Sequence, residues 1–401
     1  MIKGKDIVIV GMQSWDIAIG SNCKNIAAVL AQHNRVIYVN VPLDRKKFLK
    51  RQFTDPNDLR RLSVLKGRNS GLVELGDAFW SFYPKMVFES INWISSRTVY
   101  DFFNRLNTKR LADEIRRITQ ELGFSDYILF NDSSMFRGVY LKELLEPALN
   151  IYYIRDNLIT QEYFKKHGVR LEKETIRSAD LVVSNSPYLR DYARPYNKHA
   201  YYVGQGCDLE LFTRNGVEEP QDLASIKGVK IGYIGFLTEM RLDIGLLVEI
   251  AKTRTDWQLV LVGPEDDAFK KSALHQLDNV HFLGSKNVDQ LPAYINYFDV
   301  CMNPQVVNDL TIGNYPRKID EYLAMGKPTI ATKTPTMEIF KDHVYLGETA
   351  ADYIQLIEKA LKENSEEKER QRMEFAQGHT WENNVLEIGH AIAQLTSKQT
   401  V

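Results

Sequence analysis

Residues 303–332 read NPQVVNDLTIGNYPRKIDEYLAMGKPTIAT, and the class of the fold turns on them. The stretch follows an apolar strand pattern, FDVCM (298–302), crosses a polar loop and enters a helical pattern at Pro316. Proline suits the first helical position because its missing N–H is not needed there. Gly326 closes the helix, Pro328 stands just past it, and PTIAT opens a new strand. Strand, helix and strand in this order belong to a parallel α/β sheet. Arg317 and Lys318 fall in the first turn, where the helix dipole disfavours cations, so an anion is expected to complete the site. Glu321, one turn further in, is placed to accept hydrogen bonds from the vicinal hydroxyls of a sugar. The alternative is an internal ion pair of Arg317 or Lys318 with Glu321, although cation before acid is the weaker orientation on a helix.

The segment PRKIDEYLAMGKPTIAT resembles the donor-binding segment of GT-B glycosyltransferases close to family 4. It is most similar to a branch of teichuronic-acid and exopolysaccharide transferases with the pattern P-x-K-x-x-E-Y-L-A-x-G-K-P. R-L-D at 241–243 resembles the same branch, as does the stretch from Tyr152 through RLEKETIRSADLVVSNSPYLRDY to GQGCDLELF, whose last part is similar to the signature closing the first domain. The resemblance implies an α/β GT-B architecture: two Rossmann-like domains with a cleft between them and a C-terminal helix crossing back to the first. In family 4, two glutamates separated by seven residues contact donor sugar and ribose. Glu321 matches the second and Gly313 stands at the first. The family's first strand–loop supplies an Arg and a Lys to the diphosphate. Phe236 occupies the Arg position here and Arg241 the Lys position.

The 401 residues are 44% hydrophobic and 26% charged, enough for full cores and for two domains. A formal net charge of −1 carries no overall nucleic-acid signature. The opening MIKGKDIVIVGM is a strand pattern rather than a secretory signal, and no apolar run reaches membrane-spanning length. Cys23, Cys207 and Cys301 are scattered and odd in number, which fits buried thiols in a reducing cytoplasm and no metal spacing.

Taken in order, DIVIVGM (6–12) is an apolar strand, a helix runs from about 22 to 33, and RVIYVNV begins a second strand at Arg35. Ligands of parallel sheets bind at the carboxyl ends of strands, so the loop with Trp15, Asp16, Gly20 and Ser21 is an acceptor-side candidate. It lacks the dinucleotide glycine fingerprint. Residues 45–117 hold sixteen Lys and Arg against eight Asp and Glu, a balance of +8 that leaves −9 elsewhere. Aromatic residues between Trp80 and Phe103 are interleaved with these cations, and 86–122 reads largely as helix. Such a mixture suits an anionic membrane surface, the alternative being a solvated face over an aromatic core. Strands follow at 126–132, 150–155, 180–184 and 200–203, with Asp132 and Asp156 at strand ends. Residues 204–228 read as a linker between domains at 1–203 and 229–378, and 379–401 as the returning helix. Renewed alternation in KIGYIGF, WQLVLVGP, VHFLG, FDVCM and PTIAT marks the second domain.

On the donor side the expected residues are Gly235, Arg241, Asp243, Phe282, Leu283, Thr311, Arg317, Lys318 and Glu321. The cations, with Thr311 and backbone N–H groups of 308–315, would neutralise a nucleoside diphosphate without a metal or cofactor. By resemblance Glu321 would hold the ribose, and the loop after VHFLG would border the nucleobase of a UDP- or GDP-sugar. Asp156 is the first choice for a catalytic base or stabiliser and Asp16 the second, with Lys318 as the catalytic cation. The expected partners are a nucleotide sugar, a saccharide acceptor, lipid-linked at the inner face of the cell membrane, and no nucleic acid. Family 4 implies retention of anomeric configuration, whereas an Asp156 base would suit inversion. A sugar-phosphate epimerase or phosphorylase on the same fold, and a non-catalytic sugar-nucleotide-binding scaffold, remain open.

Overall fold

A computed structural model describes residues 1–17, 20–51, 53, 55–213 and 216–397. Parts of four expected segments therefore lie outside the described residues: Ala18 and Ile19, Gln52 and Thr54, Arg214 and Asn215, and 398–401. The chain divides into two compact units, one of residues 1–204 with 384–401, the other of 205–383.

The strands of the first unit are β1 Asp6–Val10, β2 Arg35–Val39, β3 Leu43–Asp44, β4 Leu72–Gly76, β5 Phe79–Phe82, β6 Val87–Phe88, β7 Ile128–Asp132, β8 Leu149–Ile154, β9 Leu181–Ser184 and β10 Ala200–Tyr202. Among the described residues eight form one sheet in the order β10-β9-β8-β7-β1-β2-β5-β4, while β3 pairs with β6. All its pairings are parallel except β4 with β5. Ile7, Val8, Ile9 and Val10 are buried, the uninterrupted apolar run that a strand covered on both faces requires. Ser21 caps the next helix, Asn22–Ala31, by accepting the Lys24 N–H. The chain builds outward from β1 through β2 and then returns to lay β7 on β1's other side. The loops leaving β1 and β7 therefore diverge, which opens a crevice at their carboxyl ends.

The second unit repeats the plan. Its strands are β11 Val229–Ile234, β12 Trp257–Val262, β13 Val280–Gly284, β14 Val300–Asn303, β15 Thr329–Thr332 and β16 Tyr345–Gly347. They form a parallel sheet in the order β13-β12-β11-β14-β15-β16, with the reversal between β11 and β14. Leu259, Leu261, Val300, Met302 and Ile330 pack against Tyr353 and Ile357 of the helix Ala350–Glu363 on one face.

Three segments differ from expectation. Residues 204–228 are no free linker: from 205 onward they belong to the second unit, where Phe212, Leu223 and Ile226 are buried in its core. The helix within 86–122 is confined to Arg97–Glu121, because Tyr83, Met86 and Ile91 anchor extended chain and turns to the sheet instead. The helix expected from Pro316 begins at Lys318, with Arg317 as its cap residue. Its end follows the sequence reading, with Gly326 in the left-handed region at φ +67°. The last helix, Trp381–Ser397, enters the first unit at Asn384, whose side-chain amide donates to the Val203 and Gly204 carbonyls at 2.9 and 2.8 Å.

Candidate active site

The second unit's reversal point lies between β11 and β14. Chain leaving β11 turns at Gly235, whose φ of +142° excludes most side chains. A Cβ there would stand 3.2 Å from Lys318 Nζ, and one at Gly263 would stand 1.9 Å from the Gly235 carbonyl oxygen. Two glycines thus let the strand ends close up around Lys318. The Lys318 ammonium donates to the Tyr233 hydroxyl at 2.9 Å and lies 4.7 Å from the centre of that ring. Farther along the loop, the Arg241 carbonyl accepts the Val306 N–H at 3.0 Å, and the Asp243 N–H donates to the Pro304 carbonyl at 2.9 Å. The loops after β11 and β14 are thereby stitched together.

Arg241, Arg317 and Lys318 form no ion pair with a carboxylate among the described residues. Other cations of the unit do, as Lys286 with Asp222 at 2.6 Å and Arg254 with Asp256 at 2.7 Å. The Arg317 guanidinium lies 5.8 Å from the Trp381 ring centre, and its buried Nε has no hydrogen-bond partner among the described residues. The ion pair with Glu321 weighed from the sequence is therefore not formed. Glu321 is half-buried, and burial raises its pKa while the positive charges of Arg317 and Lys318 pull it down.

Two donor-side expectations are corrected. Thr311 is fully buried, and its hydroxyl donates to the Val306 carbonyl and accepts the Asn308 N–H at 3.1 Å. It ties the 308–315 loop together and is not free to meet a phosphate. The N–H groups of Leu310, Thr311, Ile312 and Asn314 are likewise spent inside that loop. Asp243 caps the helix Ile244–Thr253 by accepting the Leu246 N–H at 2.9 Å, so its role is to fix Arg241's loop. On the edge strand β13, Phe282 stacks on His275 with ring centres 3.9 Å apart, and Leu283 packs into the core on the opposite face.

Sequence reasoning missed Tyr233, Trp381 and a buried group around Asp320. Asp320 accepts from Tyr315 Oη at 2.8 Å and lies 2.6 Å from His379 Nδ1. Burial raises its pKa, and His379 and Tyr315 oppose the rise. Tyr233 was accessible to sequence reading, two residues before Gly235 on a strand ending at the site. His379 and Trp381 lie some sixty residues from Arg317, and no local pattern connects them.

In the first unit the expected acceptor residues do not form one constellation. Asp132 is fully buried and accepts from Arg155 Nε at 2.9 Å. It is a closed pair, unavailable to ligand. Asp156 lies at the surface end of the same network, 3.5 Å from Arg155 Nη1. Asp16 accepts a hydrogen bond from Tyr83, whose pKa burial and that bond push up to about 12. Trp15 packs edge-on against Phe79 and Tyr38, its backbone N–H held by Asn40 at 2.7 Å, which makes it a structural turn. Ser21 is spent as the helix cap, and Gly20 is exposed.

The family described as Glycosyl transferases group 1 matches residues 228–363, the stretch that includes strands β11 to β16 and Lys318. The second unit contains a group 1 glycosyltransferase domain. A Bacillus subtilis (strain 168) relative named as a teichuronic acid biosynthesis glycosyltransferase, TuaH, is 28% identical over 241 residues, 57% of this chain. The match spans 60% of that relative's length. Among solved structures, sucrose-phosphate synthase from Thermosynechococcus elongatus superposes with a TM-score of 0.66 at 16% identity, covering 98% of this chain and all of the other. HepE from Anabaena in complex with UDP gives 0.64 at 14%, covering 97% and 100%. The fold is GT-B, with two Rossmann-like units.

Proposed function

We propose that this chain transfers a sugar from a nucleoside diphosphate donor, a UDP- or GDP-sugar, to a saccharide acceptor in cell-surface polysaccharide synthesis. The observation that carries the reading is the set of three cations, Arg241 on the loop after β11 and Arg317 and Lys318 at a helix start, without carboxylate partners among the described residues. A departing diphosphate accumulates negative charge, and fixed cations stabilise it more as that charge grows. Lys318, held by Tyr233 and the two glycines, takes the diphosphate with Arg241 and Arg317, and Glu321 receives the ribose hydroxyls. With three side-chain cations in place the transfer needs no divalent ion, and the group 1 relationship favours retention of configuration. Asp156, partly exposed at the end of β8, supplies the acceptor-side carboxylate.

Calorimetry with UDP, GDP and dTDP tests the donor site. Lys318→Ala is expected to weaken the preferred nucleotide by about tenfold or more, since hydrogen bonds to charged groups contribute about 1.5–3 kcal/mol. Equal affinity in the variant and the wild type would sink the phosphate assignment. Turnover insensitive to a chelator, with an axial or equatorial anomeric proton read by NMR, tests the metal-free and retaining parts.

The acceptor in this reading is lipid-linked. Trp93, Val99, Phe102 and Phe103 are exposed, and Trp93, Val99 and Phe103 line a largely apolar cavity of about 810 Å³. Arg45, also on its lining, opens the basic helix Arg45–Lys50. Of the aromatic set expected to face a bilayer, Phe82, Tyr83 and Tyr100 are buried and drop out. Sedimentation with anionic vesicles at low salt should carry the protein down, and Lys46/Lys50/Arg51→Glu should release it. Indifference of the wild type to anionic vesicles at every salt concentration would leave a soluble acceptor.

A further inference from the structure

At the first unit's reversal point, the chain leaving β7 makes a tight turn. Ser133 adopts the left-handed region at φ +48°, its N–H held by the Tyr153 carbonyl at 2.9 Å. Such a conformation in a residue other than glycine costs free energy and marks places where the backbone is set for a purpose. The one-turn helix Met135–Gly138 follows. Gly138 is required there, because a Cβ would stand 2.0 Å from the Asn131 amide nitrogen, and Asn131 in turn accepts the Ser134 N–H. The outcome of this packing is the placement of Arg137.

The Arg137 guanidinium reaches back to the chain leaving β1. Nη2 donates to the Gly11 and Met12 carbonyls, each at 3.3 Å, and Nε donates to Ser134 Oγ at 3.0 Å. Nη1 has no hydrogen-bond partner among the described residues, and no carboxylate pairs with the guanidinium. The neighbouring acids are committed elsewhere. Asp132 is closed on Arg155, and Asp44 accepts from the Lys46 N–H at 2.8 Å and Ser90 Oγ at 2.7 Å. Arg137 lines a cavity of about 230 Å³ whose wall is mostly apolar, with Met12, Pro42, Phe88, Phe136 and Phe164, and also carries the Asp44 carboxylate. Burial lowers its pKa to about 10, and the nearby Arg61 charge adds to the depression. Nη1 is thus a charged donor left without an acceptor among the described residues at a largely apolar cavity, and an oxyanion accepting from it would complete the guanidinium's hydrogen bonding.

We infer that the first unit binds an oxyanion, a phosphate or a carboxylate, against Arg137 in the cavity at the carboxyl ends of β1 and β7. In naming this group as part of the acceptor, the inference rests on the glycosyl-transfer reading; the binding itself does not. Either oxyanion would accept a charge-assisted hydrogen bond from Nη1, and the apolar part of the wall favours one attached to a flat or aliphatic body. A phosphate would come from a phosphate-linked lipid acceptor and a carboxylate from an acidic sugar.

The test uses the full chain, calorimetry, and three probes of similar size: phenyl phosphate, benzoate and neutral benzyl alcohol. The wild type is expected to bind one of the two anions with one-to-one stoichiometry and more tightly than benzyl alcohol. Arg137→Met, which keeps the apolar stem, should weaken that anion at least about tenfold. A preference for phenyl phosphate points to the phosphate-linked source, and a preference for benzoate to the acidic sugar. Equal anion binding by Arg137→Met and wild type overturns the inference, as does a wild type that prefers neither anion to benzyl alcohol. Should Arg137→Met show no cooperative melting, Arg137→Gln decides, since it keeps an N–H donor for the carbonyls and loses the charge. Binding as tight as wild type would then overturn the site. UDP, GDP and dTDP titrated into the same samples separate the two readings: failure of the wild type to bind any of them defeats sugar transfer and leaves the oxyanion site standing, and the converse pattern does the reverse.

Discussion

The two reversal points, β1 with β7 and β11 with β14, are alike in topology and opposite in how they treat charge. In the first unit most buried charge is closed on itself. Asp132 is paired with Arg155, Asp58 receives Arg61 at 2.9 Å and Lys47 at 2.9 Å, and Glu172 is held between the hydroxyls of Tyr152 and Tyr192. In the second, Lys318 has only a tyrosine hydroxyl, and Arg241 and Arg317 have no acid at all among the described residues. A closed pair contributes to folding and cannot serve a ligand. An open cation contributes little to folding and keeps its interaction for a partner. Arg137 is the first unit's exception, and its openness is what marks it.

Removing one half of a closed pair should give the largest effect. Asp132→Ala leaves Arg155 deep in the sheet end without its main partner and should cost about 3–5 kcal/mol of stability. A shift in the urea midpoint worth less than about 1 kcal/mol would show that the pair is relaxed by solvent, and the contrast with the second unit would lose its basis.

Next comes Glu172. Burial raises its pKa from 4.5 to about 7, against the hydrogen bonds from Tyr192 and Tyr152 that lower it. The folded state therefore holds a proton that the unfolded state releases. The associated stability is fully present below pH 4.5 and is lost as pH rises through about 7. Melting temperatures measured from pH 4 to 8 should fall across that window in the wild type, and Glu172→Gln should flatten this component. An identical pH profile in the two proteins would mean that Glu172 is ionised throughout.

The second unit's open cations predict the reverse pattern. Lys318→Met should leave the urea midpoint within about 0.5 kcal/mol of wild type while nucleotide affinity falls. A large loss of stability would reveal a structural lysine. Smallest of all, Tyr233→Phe removes one hydrogen bond from Lys318 and should weaken UDP by about 0.5–1.5 kcal/mol, roughly two- to twelvefold. Unchanged affinity would place the orientation of Lys318 with the glycines alone.

Much of the fold was legible because parallel strands buried on both faces leave apolar runs too plain to miss. WQLVLV and VHFLG appear within a residue or two of where they were read. The β4–β5 hairpin was not, since LVELGDAFWSF (72–82) carries no regular apolar–polar alternation that would mark two strands. At the site, Gly235, Arg241 and Lys318 were readable because each sits beside a strand end or helix start. Asp132 and Ser21 satisfied the same positional rule and proved to be a buried pair and a cap. Position at a strand end cannot tell a group offered to a ligand from one already satisfied, since the satisfying partner, Arg155 for Asp132, comes from another strand's end. Arg137 escaped for the same reason: what distinguishes it is that the acids near it, Asp132 and Asp44, are committed to other partners, which spacing along the chain does not encode.

The division of the chain also has a bearing on how the molecule is made. The second unit is one uninterrupted segment, whereas the first draws on residues 1–204 and again on those from Asn384 onward. On the ribosome, the later segment is complete while the earlier one still lacks the amide of Asn384 that binds the carbonyls of Val203 and Gly204. Domains tend to fold as units during synthesis, so the order of assembly here is inverted: the part begun first is the part finished last. Nascent chains stalled before residue 384 should then expose the older sheet's flank to chaperones and proteases while the younger sheet is already resistant.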